Sequence, residues 1–285
     1  MIKKESHLGY LLILPTIIML VGLIFYPIGY NLVLSLYKVS LNPAKPNVFI
    51  GIAHYLDVIT DMDFWISFRT SIIFTATTVI GTTILGLGVA LLLNRDFKGR
   101  TILRGMVLLP YVTPLISLVF GWKYLFDPVF GMFNYVFVDL IHLFPQHLNW
   151  IESPRFAIYA VIIFNIWRNF PFSFLMILAE LQSISGTLYE AAEVDGANFW
   201  QKFIHITLPE LKFVIGALVI LRTIWNFYKF AEVYLLTPVV ETLPVYIYEK
   251  AFANYNFGQG AAIATLLFLF IFGFILYYVR RVLEW

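Results

Sequence analysis

Four long stretches of the chain contain no Asp, Glu, Lys or Arg: Tyr10 to Leu36, Thr70 to Asn94, Gly105 to Trp122 and Ala251 to Val279. About 20 mostly apolar residues carry a helix across the hydrocarbon core of a bilayer, where every backbone polar group must be satisfied within the chain. Three stretches reach that length outright, and the third does so once Lys123 snorkels toward the headgroups. A soluble domain is excluded by the same measure. With 13% charged and 60% hydrophobic residues and a mean hydropathy of +0.82, the chain cannot cover a globular surface with charge. The apolar runs are continuous rather than alternating, which argues against a β-barrel.

These patterns predict an all-α, polytopic bundle forming a single domain over residues 1–285. Its six transmembrane helices lie near 10–36, 70–93, 105–126, 157–180, 211–235 and 261–279. Pro15, Pro27, Pro110, Pro114 and Pro171 fall inside spans, where neighbouring helices make them tolerable. The start Met1-Ile2-Lys3-Lys4 resembles a signal peptide. Its apolar run is too long and lacks a small-residue cleavage site, so it reads as an uncleaved first helix. Positive charge sets the orientation. With the amino end inside, Lys3, Lys4, Arg95, Lys98, Arg100, Arg104, Lys202, Lys212, Arg280 and Arg281 are cytoplasmic. Lys38, Lys45, Arg69, Lys123, Arg155 and Lys250 are external. The loop holding Arg95, Lys98, Arg100 and Arg104 decides for two cytoplasmic termini.

Several functions are excluded by composition. A net charge of +2 without a dense basic tract leaves no footprint for nucleic acid. The absence of cysteine removes disulfides, thiolate metal sites and a cysteine nucleophile. The five histidines show no ligand spacing, and His142 with His147 in one loop are too few for a metal site. There is no GxxxxGK[ST] loop, and no lysine precedes Ser or Thr, so the chain has no ATP site of this kind and binds no cofactor of its own.

The longest internal cytoplasmic stretch, about 181–211, reads as two short helices joined at a glycine. Ser185 can cap the first, and Ala191 and Ala192 are strong helix formers. Gly196 suits the left-handed residue that ends a helix. Asn198 can cap the second, along which Phe199, Phe203 and Ile206 recur, and Leu208-Pro209 is expected to stop it. Glu190, Glu193 and Asp195 around a small-residue patch suit a helix that enters another protein's groove. An acidic helix suits the anionic inner leaflet poorly.

This segment resembles the ATPase-docking loop of the permeases of ATP-driven importers, EAA-x3-G-x9-I-x-LP. Glu190-Ala191-Ala192, Gly196, Ile206 and Leu208-Pro209 occupy its fixed positions, with Glu193, Asp195 and Ala197 between them. Phe25-Tyr26-Pro27, Leu108-Leu109-Pro110, Phe126-Asp127-Pro128, Trp167-Arg168 and Thr242-Leu243-Pro244 resemble the carbohydrate branch of that family, the maltose and glycerol-phosphate type. The likeness covers nearly the whole chain. One departure is the glycine-free Leu235-Leu236-Thr237-Pro238-Val239-Val240-Glu241, where relatives carry a Gly-Gly-Pro stretch. The resemblance implies a permease in the bacterial cytoplasmic (inner) membrane, importing a sugar or oligosaccharide by alternating access. Its partners would be a second homologous permease, two ATPase subunits that hold ATP and Mg, and an extracytoplasmic solute-binding protein. The chain itself would not be an enzyme.

Charged and polar residues inside spans mark a candidate substrate path, because ionisable groups there face protein or water. Arg222, Asn226 and Lys229 form one stripe of the fifth span, with Glu232 placed to pair with Lys229. Asn165, Arg168 and Asn169 share a face of the fourth, and Trp225 and Tyr228 add rings on which sugars stack. The surplus of positive charge leans toward an anionic or oligomeric substrate. Three other functions compete with this one. A secondary transporter has no use for an ATPase-docking loop. An intramembrane enzyme would need a catalytic pair absent here. A permease of the same family for amino acids, polyamines or phosphate esters is the remaining alternative.

Overall fold

The structure, a computed structural model, describes residues 2–42 and 44–282, with side chains for 9–42 and 44–281. Lys3 and Lys4, which enter the orientation argument, lie outside the described side chains. The chain divides into two compact units, Met1–Ile66 with Tyr246–Phe270 and Ser67–Val245 with Ile271–Trp285.

The apolar runs become the long helices α1 (Gly9–Leu34), α3 (Met62–Leu93), α6 (Ala157–Ser183), α8 (Phe199–Phe227) and α11 (Phe257–Val282). Between α1 and α3 lies the short α2 (Ala53–Thr60), and between α3 and α6 lie α4 (Arg100–Val112) and α5 (Leu115–Leu125). α7 (Gly186–Val194), α9 (Ala231–Tyr234) and α10 (Leu243–Tyr248) complete the helical elements used below. Among the described residues, five helices are long and apolar enough to cross a membrane, or six if α4 and α5 count as one span. That pair corrects the third expected span. Instead of one helix over 105–126, the chain bends by 93° between Val112 and Leu115. The bend has a covalent cause: Pro114 has no N–H for the helical ladder, and its ring drives Thr113 into an extended conformation (ψ 139°).

In the first unit, Tyr37–Lys38 and Val48–Phe49 pair antiparallel, Tyr37 opposite Phe49. Asn31 on α1 donates to the Ala261 carbonyl and Thr265 hydroxyl of α11, each at 3.3 Å, tying two apolar helices by amide hydrogen bonds. Gly258 sits against the Tyr37 carbonyl and the His54 ring so closely that a β-carbon would lie 2.2 Å from the former. Before α3, Asp61 accepts from the Tyr246 hydroxyl at 2.6 Å and from Lys250 at 3.1 Å, and the two donors hold its carboxyl below the usual range.

The second unit is centred on α6, which buries residues along its whole length from Ala157 to Leu181. At one end Phe74, Trp122, Phe126, Trp150 and Phe164 form an aromatic core. At the other, Ala90, Phe170, Phe174, Ile177, Leu211 and Leu218 pack together. α3 and α6 cross closely at Gly86, where a β-carbon would meet Ser173 Cβ at 2.8 Å and the Phe174 amide nitrogen at 2.9 Å. The segment 127–156 is organised by Asn134, which is fully buried. Its amide donates to the Pro128 and Leu148 carbonyls and accepts from the Leu148 N–H and Trp150 indole, using both ends of the side chain. Nearby, His147 faces the Asp139 carboxylate (2.9 Å) and the Pro128 carbonyl (3.0 Å), and these acceptors raise its pKa.

Candidate functional site

The segment from Ser185 to Pro209 folds as a helical hairpin. α7 ends in a Schellman motif: the Ala197 N–H donates to the Ala192 carbonyl (2.8 Å) and the Gly196 N–H to the Glu193 carbonyl (3.0 Å). Gly196 takes φ 78°, the left-handed conformation expected of it. The fixed spacing between Ala192 and Gly196 is therefore the spacing of a helix stop. Asn198 opens the second helix with a capping box, accepting from Gln201 N at 3.0 Å while its own N–H donates to the Gln201 side chain at 2.7 Å. Ser185 stands at the N-cap of α7 as expected, but its hydroxyl bonds the Thr187 hydroxyl instead of a backbone N–H.

Two contacts close the hairpin that sequence reasoning missed. Tyr189 and Thr207 share a hydroxyl hydrogen bond of 2.9 Å, and Lys202 reaches Glu193 at 2.6 Å. Neither pair sits at a helical spacing, so no periodic signal announces it. Pro209 does not stop the second helix. Phe203–Thr207 widen into a π turn, with the Leu208 N–H donating to the Phe203 carbonyl, and α8 continues through the proline to Phe227. None of the α7 side chains is buried, and Val194 is 88% exposed. Ala192, Asp195, Gly196, Ala197 and Ile206 join Lys202 and His205 around a groove of about 300 Å³.

A second constellation, a polar band, lies between α6 and α8. Arg222 is 1% exposed and donates to the Asn169 carbonyl and, at 3.4 Å, to the Asn169 side-chain oxygen. Its guanidinium lies 4.9 Å from the Phe172 ring centre and 5.5 Å from that of Trp225, adding cation–π attraction. Asn165 and Asn169 are buried on α6, each donating to a carbonyl one turn back, so the expected polar face exists. The expected pairing does not. Lys229 donates to Asn226 (3.1 Å), while Glu232 accepts from Arg168 at 2.9 Å. The helical spacing that suggested Lys229 with Glu232 fails because α8 ends at Phe227, short of the expected 235, and Glu232 belongs to the separate α9. Trp225 and Tyr228 stay exposed, Trp225 beside Arg222 and Tyr228 at the end of α8.

The chain matches the family described as "Binding-protein-dependent transport system inner membrane component" over residues 82–284. It belongs to that family. It is 46% identical over 280 residues to the inner membrane ABC transporter permease protein YcjO of Escherichia coli, covering 98% of this chain and 96% of that one. The trehalose/maltose transport system permease protein MalF of Thermococcus litoralis is 37% identical over 284 residues, covering 97% and 94%. Among solved structures, a bacterial ABC transporter involved in import of the acidic polysaccharide alginate superposes with a TM-score of 0.82 at 22% identity, over 99% of this chain and 96% of that one. That likeness shows a shared ABC permease fold, and the family places the protein in the inner membrane.

In this permease the hairpin follows directly on a further junction. Arg104 donates through Nε (3.2 Å) and Nη2 (2.7 Å) to the Leu93 carbonyl at the end of α3. With its amide oxygen facing Arg104, Gln182 at the end of α6 accepts from both terminal nitrogens at 3.2 Å. One guanidinium of α4 therefore ties together the ends of α3 and α6, three residues before Ser185. No metal-binding group occurs among the described residues.

Proposed function

We propose that this permease is the membrane-spanning, non-catalytic half of a sugar importer driven by ATP hydrolysis in partner subunits. It forms one transmembrane domain with six spans and two cytoplasmic termini, α4 and α5 together making the bent third span. It pairs with a second homologous permease and two ATPase subunits, which hold ATP and Mg, and receives its sugar from an extracytoplasmic binding protein. The Glu190–Pro209 hairpin is the coupling element. The observation that carries this reading is the hairpin itself: a capped pair of helices in which no residue of the acidic, alanine-rich α7 is buried within the chain. A segment with no core of its own is ordered by capping bonds at one defined turn, as a docking element must be. ATPase closure then moves α6 and α8 directly, because the hairpin joins them without a flexible linker. The polar band of Asn165, Arg168, Asn169, Arg222, Asn226, Lys229 and Glu232 lines the substrate path. The sugar assignment is supported by the trehalose/maltose system to which the Thermococcus relative belongs.

Purification of the tagged permease from its native membrane, with partners identified by mass, tests the assignment. Recovery of an ATPase, a second permease and a binding protein carrying a saccharide is expected. Recovery without an ATPase under gentle solubilisation overturns it.

A further inference from the structure

Burying a guanidinium or ammonium group away from water is costly unless an anion or a set of acceptors replaces its hydration. The band between α6 and α8 holds three such cations, Arg168, Arg222 and Lys229. It also holds one carboxylate, Glu232, which Arg168 occupies at 2.9 Å. Among the described residues, neither Arg222 nor Lys229 has a carboxylate within ion-pair distance.

Their polar contacts are also incomplete. The Lys229 ammonium has three donors and meets one acceptor, the Asn226 amide oxygen. Arg222 uses its terminal nitrogens on Asn169, while its Nε has no partner. The Arg168 Nε and the Asn226 Nδ2 are likewise buried and unpartnered. Against these three unpartnered donors, the unpartnered buried oxygens on the same two helices, α6 and α8, are the Asn165 Oδ1 and the Ser173 hydroxyl. The band thus holds fewer acceptors than its buried donors need and one carboxylate for three cations. A neutral sugar hydroxyl offers acceptors without charge, whereas an oxyanion supplies both at once.

We propose that this band is an anion subsite, and that the transported saccharide carries an acidic group that sits against Lys229 and Arg222. Glu232 sets the geometry by pairing with Arg168 at 2.9 Å, which leaves Lys229 and Arg222 without an ion pair of their own. The exposed ring of Trp225, already beside Arg222, offers the apolar face on which the acidic sugar residue stacks. The inference rests on the reading of this band as the substrate path.

The test is direct binding to the purified transporter, with its ATPase and second permease, in lipid nanodiscs. The binding protein is omitted so that its own selectivity does not enter. Calorimetry compares a uronic-acid trisaccharide with its carboxyl-reduced, neutral counterpart. The acidic form is expected to bind about tenfold tighter or better, as a charge-assisted contact requires. That advantage should vanish in Lys229→Met, persist in Lys229→Arg, and shrink as salt is raised. Equal affinity for both sugars overturns the subsite and leaves the sugar-importer reading standing. An acidic preference unchanged in both Lys229→Met and Arg222→Met overturns it too, since the charge would then be read elsewhere. Binding of neither sugar removes the band from the substrate path, a failure separable from loss of the ATPase in co-purification.

Discussion

Gly196 offers a graded test of the hairpin, because its backbone is fixed and its surroundings are empty. At φ 78° it lies where an L side chain is disfavoured, yet a β-carbon there meets nothing within 4 Å. Substitution by alanine therefore acts through the backbone alone, at about 1–2 kcal/mol. Asparagine, which tolerates this conformation better, should cost less. Proline is worse on two counts. Its ring forces φ to about −65°, and it deletes the N–H that donates to the Glu193 carbonyl at 3.0 Å. The loss should be about 3 kcal/mol or more. α7 has no buried residue to absorb such losses, so they pass to whatever the hairpin binds. At about 1.4 kcal/mol per decade, alanine should weaken ATPase attachment by roughly fivefold to thirtyfold, and proline by more than about a hundredfold. The assay is retention of the ATPase on the tagged permease, together with substrate-stimulated ATP hydrolysis and a thermal melt of the membrane domain. The ordering Gly, Asn, Ala, Pro with an unchanged melt is expected. Wild-type stimulation in Gly196→Pro would refute the reasoning, as would an alanine variant worse than the proline one.

Two further predictions concern the scaffold. Gly86→Ala should destabilise the permease by about 1–3 kcal/mol, since its β-carbon would press on the α6 backbone, which cannot yield as a side chain can. Gly88→Ala, with nothing within 4 Å, is the control, and equal melting temperatures for the two variants would sink the argument. His147 predicts a pH dependence of the segment around Asn134. Its folded pKa is raised by the Asp139 carboxylate and the Pro128 carbonyl, so the stabilisation is full below the ordinary histidine value near ~6.5 and is lost as pH rises through the folded value. Hydrogen exchange in residues 128–148, compared with His147→Gln at each pH, should show a protection gap that closes with rising pH. A gap that does not change with pH contradicts the ion pair.

Much of the membrane helix pattern was legible because the bilayer imposes one rule, a long run without charge, that the sequence states openly. The hairpin was legible for a different reason: Gly196 and Asn198 carry their conformational preferences locally, and both appear where those preferences place them. What escaped was set by geometry beyond a residue's neighbours. Pro110, Pro114 and Pro171 look alike in sequence, yet only after Val112 does the chain turn by 93°. Pro209 looked like a stop, but a preceding π turn let the helix pass. The partner of Glu232 is Arg168, 64 residues earlier, and no periodicity within α8 could reveal it. The end of α8 at Phe227 likewise carries no glycine or proline to announce it.

The absence of cysteine makes the central claim directly testable, because a single introduced thiol has no competitor in this chain. Val194, at the exposed tip of α7, is the position of choice, since its replacement by cysteine removes no packing. Native membranes containing Val194→Cys would be treated with a short thiol-to-amine crosslinker and the products identified by mass, with Val129→Cys, exposed in the segment 127–156, as the comparison. A product joining Val194→Cys to the ATPase is expected, and none joining Val129→Cys to it. A Val194→Cys that labels freely yet yields no ATPase product, or a Val129→Cys that does, would contradict it.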